Sequence, residues 1–165
     1  MEKIDVIDTQ ILDLLQENGR MKRTELAEAV DLSVPSVSER MRKLEERGVI
    51  AGYHAVVDPQ RLHVDITAFV RVVSMDSDHY EEFVEAVTEM HEVQELHSIT
   101  GEGSHILKIR VHNTSALESL LGRIQHIPGV RGTQTSLVLS SLKESRFLKV
   151  EPMVLRHAET NGVDT

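Results

Sequence analysis

The chain has 165 residues, of which 40% are apolar and 27% charged, a balance that supports a folded globular protein and excludes a disordered one. It contains no cysteine, which excludes disulfide staples, thiolate metal sites and cysteine nucleophiles, and no apolar run approaches the ~18 residues a membrane span needs. A cytoplasmic location without membrane contact fits, and the formal net charge of −9 opposes nucleic-acid binding unless a local patch departs from it.

In chain order, Ile4, Ile7, Ile11, Leu14 and Leu15 recur at helical spacing and predict a first helix, stopped by Asn18-Gly19. A second helix is expected from residue 23 to 30, with Leu26, Ala27 and Val30 on one side. Asp31-Leu32-Ser33 then links it to a third helix that runs to Gly48. Ser33 suits an N-cap, and Pro35 is tolerated because first-turn N–H groups have no intrahelical partner. Val37, Met41 and Leu44 form the buried stripe of this helix. This spacing predicts a helix-turn-helix over about residues 23–42. Ala27 sits where the helices cross, and Asp31 takes a turn position that tolerates a left-handed backbone. Residues 50–57 read as a strand or wing closed by Asp58-Pro59. The expected division is a DNA-binding domain over 1–58, a hinge over 59–65, a second domain over 66–142 and a tail over 143–165 whose end, from Ala158, is disordered.

The second domain alternates strands and helices. Strands are predicted over 66–75, 93–100, 105–112 and 130–142. One helix opens at Asp78 with Glu81 as a capping-box pair, with Tyr80, Phe83, Val84, Val87 and Met90 on a shared face. Another opens at Ser115 with Glu118 and is stopped by Pro128-Gly129. Gly101-Glu102-Gly103 joins the middle strands as a hairpin turn. The order βαββαβ is the ferredoxin-like arrangement, with two helices on one face of a four-stranded antiparallel sheet. Thr67, Phe69, Arg71 and Val73 alternate with Ile66, Ala68, Val70 and Val72, so the first strand is apolar on both sides and favours oligomerisation. The fold class is therefore α+β, an N-terminal winged helix-turn-helix domain plus a C-terminal ferredoxin-like domain.

Charge is uneven. Between Arg20 and Arg47 lie seven basic residues against six acidic ones, a slightly basic segment in an acidic chain. With Val37, Met41 and Leu44 turned inward, a helical wheel groups Ser36, Arg40, Lys43 and Arg47 on one exposed arc, the candidate DNA face. Arg40 suits a bidentate contact to guanine or a phosphate clamp, Lys43 a phosphate, and Ser36 either. Arg20, Lys22 and Arg23 stand at the start of the preceding helix, where phosphates are often gripped. Nine histidines invite a metal reading, but none pairs at metal-ligand spacing on a helix, so neither metal nor cofactor is expected. No nucleophile elbow, phosphate-binding loop or dinucleotide glycine fingerprint occurs, so the chain is not read as an enzyme.

The run LAEAVDLSVPSVSERMRKLEERGVIAGYHAVVDP, with SITGEGSHILKIRV and PGVRGTQTSLVL after it, resembles the Lrp/AsnC (feast/famine) family of transcription regulators from about Ile4 to Val150. The resemblance implies dimers built by wing-strand swapping and sheet packing, assembled into octamers, with amino acids or related metabolites as effectors. It places an effector site at Thr100, Gly101, Glu102, Gly103, Ser104 and His105, with Thr133 and Thr135 added from the last strand. Glu102 would face the ammonium group, and backbone N–H groups of the turn the carboxylate. The chain departs from the family pattern at Asp31, where glycine is usual, at Lys22, where a hydroxyl is usual, and at Ser104-His105, where an acidic residue and an aromatic are usual. The expected function is a sequence-specific DNA-binding regulator responsive to a metabolite. The alternative is an oligomeric metabolite sensor that does not bind DNA.

Overall fold

The computed structural model describes residues 3–74 and 78–154. The chain divides into two compact units, one formed by residues up to Val56 together with those from Glu144 onward, the other by Val57–Lys143.

In the first unit a two-residue strand, β1 (Lys3–Ile4), precedes helix α1 (Val6–Glu17). Ile4 thus lies before the helix and not inside it. The reason is Asp5, whose carboxylate accepts from the Asp8 N–H while the Asp8 carboxylate accepts from the Asp5 N–H, a reciprocal capping box that fixes the helix start. Helices α2 (Arg23–Ala29) and α3 (Val34–Glu46) follow. Between them Asp31 takes a left-handed conformation, φ 52°, as the turn requires. Ser33 caps α3 by accepting from the Ser36 N–H, with Pro35 in the first turn. Ile11, Leu26, Val37 and Leu44 are fully buried and form the centre of one apolar core.

The wing expected over 50–57 does not form within the chain, for residues 51–58 carry no regular structure. A strand needs a neighbour to satisfy its backbone groups. Among the described residues none pairs with this segment, and Val56 is 100% exposed. The C-terminal segment, read from sequence only as a tail, folds back in the first unit. Strand β6 (Met153–Val154) pairs antiparallel with β1, Lys3 opposite Val154 and Ile4 opposite Met153, and Val150 packs on the core. The end expected to be disordered, from Ala158, lies outside the described residues.

In the second unit strands β2 (Ile66–Ser74), β3 (Val93–Ser98), β4 (His105–Val111) and β5 (Val130–Leu137) form an antiparallel sheet in the order β3-β4-β2-β5. This is the ferredoxin-like order, with helices α4 (Tyr80–Thr88) and α5 (Thr114–Gln125) as the connections. Ala68, Val70, Val72, Leu107 and Ile109 are fully buried in a core with Phe83, Val87, Leu120 and Ile124 of the helices. Phe69 and Val73, on the opposite face, are 39% and 40% exposed. Several expected boundaries shift. The start of α4 is His79, without a side-chain cap, and not Asp78. Asn113, whose side chain accepts from the Ala116 N–H, caps α5 in place of Ser115. Strand β5 ends at Leu137 and not at 142, and the expected last residue of β2, Met75, lies outside the described residues. The stretch expected as a hinge contains a 3-10 turn, Gln60–Leu62.

Candidate nucleic-acid and effector sites

Helix α3 presents the DNA candidates from the first unit. Ser36 and Lys43 are exposed and Arg47 is half-buried, as are none of Arg20, Lys22 and Arg23, which are all exposed around the start of α2. Glu25 holds that helix start by accepting from the Lys22 N–H at 3.0 Å. Lys43 sits 3.4 Å from Glu39, an exposed pair that screening keeps weak. The Arg47 guanidinium donates to the Lys3 carbonyl at 3.5 Å.

Arg40 is placed differently from the open arc expected. It borders the buried stripe, and its Nη1 donates to Asp5 Oδ2 at 2.8 Å and to Asp8 Oδ1 at 2.7 Å. Asp8 is nearly buried, so the α1 capping box is also the counter-charge of Arg40. Burial pushes the Asp5 carboxyl up, but the Asp8 N–H and the Arg40 guanidinium outweigh it, and its pKa is lowered. The Arg40 pKa is raised, first by the bond to Asp5. The sequence reading passed over Arg42, whose guanidinium forks to both Glu39 oxygens and also bonds Glu46. These bonds bring the Glu39 carboxyl down to about 2, with Arg42 the main cause. Glu39, Arg42 and Glu46 at spacings of three and four residues are the signal that would have found this network. At the end of α3, the Tyr53 hydroxyl donates to Glu45 at 2.9 Å; burial first, then that carboxylate, pushes its pKa up to about 12.

In the second unit the effector candidates do not form one cluster. Thr100, Gly101 and Glu102 lie on the exposed β3–β4 turn, where the Glu102 carboxylate stands 3.8 Å from Arg71. Gly103 has φ 85°, and a Cβ there would lie 2.7 Å from Arg71 Cγ and 2.9 Å from the Val72 carbonyl, so the turn packs directly on β2. Ser104 donates to the Val72 carbonyl through both its N–H, at 2.8 Å, and its hydroxyl, at 3.2 Å.

His105, expected beside the turn, points inward and is 4% exposed. Its register fixes this, since it pairs with Val72 on the helix-covered face. The ring packs against Tyr80 and Phe83 at centroid distances of 5.5 and 4.8 Å, Nδ1 meets the Ser104 hydroxyl at 2.9 Å, and Nε2 has no hydrogen-bond partner among the described residues. A cavity of about 10 Å³ adjoins it, bounded by His79, Pro128, Gly129 and Val130, with space for roughly one water. Burial lowers the His105 pKa. Thr133 pairs across β2 with Val72 on that same face, and its hydroxyl is 2.6 Å from Gln125 Nε2; Thr135 pairs with Val70. Both threonines are therefore separated from the turn by the width of β2.

Two family models match the chain. One describes a winged helix-turn-helix DNA-binding domain and covers residues 4–51; the other describes the Lrp/AsnC ligand binding domain and covers residues 67–148. The chain is 37% identical over 151 residues to the leucine-responsive regulatory protein of Klebsiella pneumoniae, covering 90% of this chain and 92% of that protein. Among solved structures it is similar to a transcriptional regulator of Neisseria meningitidis in complex with L-methionine, with a TM-score of 0.84, 32% identity, and coverage of 87% of this chain and 95% of that one. It is also similar to the feast or famine regulatory protein of M. tuberculosis complexed with L-methionine, with a TM-score of 0.83, 33% identity, and coverage of 89% and 99%. The two-domain architecture, the helix-turn-helix geometry and these likenesses agree, and the chain belongs to the Lrp/AsnC family of metabolite-responsive, DNA-binding transcription regulators.

Proposed function

We propose that the chain binds double-stranded DNA by laying α3 in the major groove, with Ser36, Lys43 and Arg47 on the duplex side and Arg20, Lys22 and Arg23 on flanking phosphates. The observation that carries this reading is the exposure of Ser36, Lys43, Arg20, Lys22 and Arg23, with Arg47 half-buried beside them, around a turn whose left-handed Asp31 sets the two helices in helix-turn-helix geometry. Arg40 enters the reading as a clamp between α3 and α1 and not as a base reader, because its Nη1 is held by two carboxylates. Binding measured against salt for Lys43→Ala and Arg23→Ala tests the assignment: each lost phosphate contact lowers the slope of log affinity on log salt by about 0.9. Unchanged slopes in both variants would move the contact surface elsewhere.

The effector in this reading is an amino acid held at the β3–β4 turn. Two of the similar structures hold L-methionine, and Glu102 and Arg71 present opposite charges 3.8 Å apart, matched to an ammonium and a carboxylate. Thr100 and the N–H groups of the turn would complete the site, while His105, Thr133 and Thr135 stand behind the sheet surface and support it. Calorimetric titration with a panel of amino acids, on wild type, Glu102→Gln and Arg71→Gln, tests this; binding that survives both substitutions unchanged refutes it. The working assembly is a homodimer through the open sheet face bearing Phe69 and Val73, built up to an octamer, which sedimentation at micromolar concentration measures. The protein in this reading acts in the cytoplasm and is not an enzyme.

A further inference from the structure

Strand β1 is two residues long, too short to hold itself in place, yet Ile4 is only 4% exposed and two bonds of the recognition helix depend on this segment. Arg47 donates to the carbonyl of Lys3, and Arg40 is bound by Asp5, the residue directly after β1. What fixes β1 is the C-terminal segment. Gln16 of α1 clasps Leu148 twice, its Nε2 donating to the Leu148 carbonyl at 2.9 Å and its Oε1 accepting from the Leu148 N–H at 2.7 Å. Val150 packs on the core, and β6 then pairs with β1.

We infer that residues 147–154 are a positioning strap for DNA recognition: by pairing with β1 they hold the carbonyl of Lys3 and the carboxylate of Asp5 where Arg47 and Arg40 need them, and so set the angle of α3. The inference rests on the DNA-binding reading above. The strap also changes how the units are joined. The second unit ends its sheet at Leu137, and the chain re-enters the first unit at Glu144, so the unit that carries α3 is connected to the second unit at two points of the chain, after Val56 and before Glu144. A strap that only added stability would weaken binding to every duplex in proportion to the folded fraction lost. A strap that sets the α3 angle weakens binding to the correct sequence selectively, because base contacts require alignment that phosphate contacts do not.

The test uses the full-length protein and a duplex it selects from a random-sequence pool, with a scrambled duplex of equal length as reference. Variants are a chain stopped after Glu151, which removes β6, a chain stopped after Leu155, which keeps it, and Gln16→Ala. Stopping after Glu151 is expected to cost about fivefold or more in affinity for the selected duplex, the worth of one good base contact, with affinity for the scrambled duplex within about twofold of wild type. Stopping after Leu155 is expected to leave both affinities intact, and Gln16→Ala to shift the ratio in the same direction as removal of β6. Should the shortened chain fail to fold, Gln16→Ala alone decides. An unchanged ratio in the variants that fold overturns the inference. Failure of the wild type to select any sequence overturns the DNA-binding reading beneath it.

Discussion

Replacing Arg40 with methionine separates its clamping role from a base-reading one. Methionine keeps most of the apolar stem and removes the guanidinium. The Asp8 side chain is 9% exposed and would retain one donor, the Asp5 N–H at 3.2 Å; the Asp5 side chain is 50% exposed and would keep the Asp8 N–H at 2.8 Å while its other oxygen returns to water. Loss of one charge-assisted bond to a nearly buried carboxylate costs about 1.5–3 kcal/mol, and loss of the exposed bond adds at most ~1 kcal/mol. Because Arg40 is itself 30% exposed, solvent screening reduces the sum, and a destabilisation of about 2 kcal/mol is expected. Urea unfolding of wild type, Arg40→Met, Asp8→Asn and the double variant closes a cycle. With Asn at position 8 no buried charge is stranded, so the coupling between the sites should exceed ~1 kcal/mol. An Arg40→Met cost equal in both backgrounds to within ~0.5 kcal/mol would refute the clamp. In DNA binding, the same variant should keep the wild-type salt slope, which a phosphate or base contact by Arg40 would not.

Further consequences follow from particular contacts. Because the Asp5 carboxyl is held below its unfolded value, its share of stability is present above pH ~4 and lost as pH falls through the folded pKa; acid titration of unfolding should show this midpoint move up in Arg40→Met. The His105 pKa is lowered by burial, so the folded form prefers the neutral ring. Stability of the second unit should be complete above pH ~6.5 and fall as the pH drops toward the folded pKa, and thermal melting of His105→Phe should lose that dependence. Gly103→Ala meets both a left-handed φ and a 2.7 Å approach to Arg71 Cγ; a loss of about 1–3 kcal/mol is expected in urea unfolding, and a neutral result would mean the turn shifts freely. Phe69→Asp should lower the sedimentation mass without unfolding the protein, whereas Val70→Asp should unfold the second unit, since Val70 is fully buried beneath the helices.

The helices and the sheet order were legible because their signals are local. Apolar residues at helical spacing marked α1, α3 and α5, and strict alternation marked β4, whose buried and half-buried residues alternate without a break from His105 to Val111. Capping was less legible: Asp78 and Ser115 have the right chemistry for N-caps, but the chain begins α4 at His79 and caps α5 from Asn113 two residues earlier than read. Competition between adjacent polar residues for one cap is settled by where the apolar face must land. The site was the least legible part. Alternation predicts that His105 shares a face with Leu107 and Ile109, yet its polarity and its place beside the glycine turn suggested a ligand contact. Only the register with Val72 shows that the ring enters the core. The strap was invisible because its partners, Gln16 and the β1 residues, lie more than 130 positions away and carry no periodic signal.

How an acidic chain grips DNA turns on which of its cations are held, and how firmly. Arg42 and Lys43 are paired with Glu39 and Glu46 on the exposed side of α3, where both partners are about half solvated. Such pairs are worth roughly 0–1 kcal/mol each, so trading a carboxylate for a phosphate costs little. The carboxylates left behind still repel the duplex, which weakens sequence-independent attraction and leaves a larger share of affinity to contacts that read bases. Arg40 stands at the other limit. Its partner Asp8 is nearly buried, and releasing the guanidinium to DNA would strand that charge at a cost above what a single phosphate contact returns. The two kinds of pairing therefore divide these basic residues of α3 by burial: cations paired at the surface can exchange a carboxylate for a phosphate at little cost, and the one paired at the edge of the core holds α3 against α1.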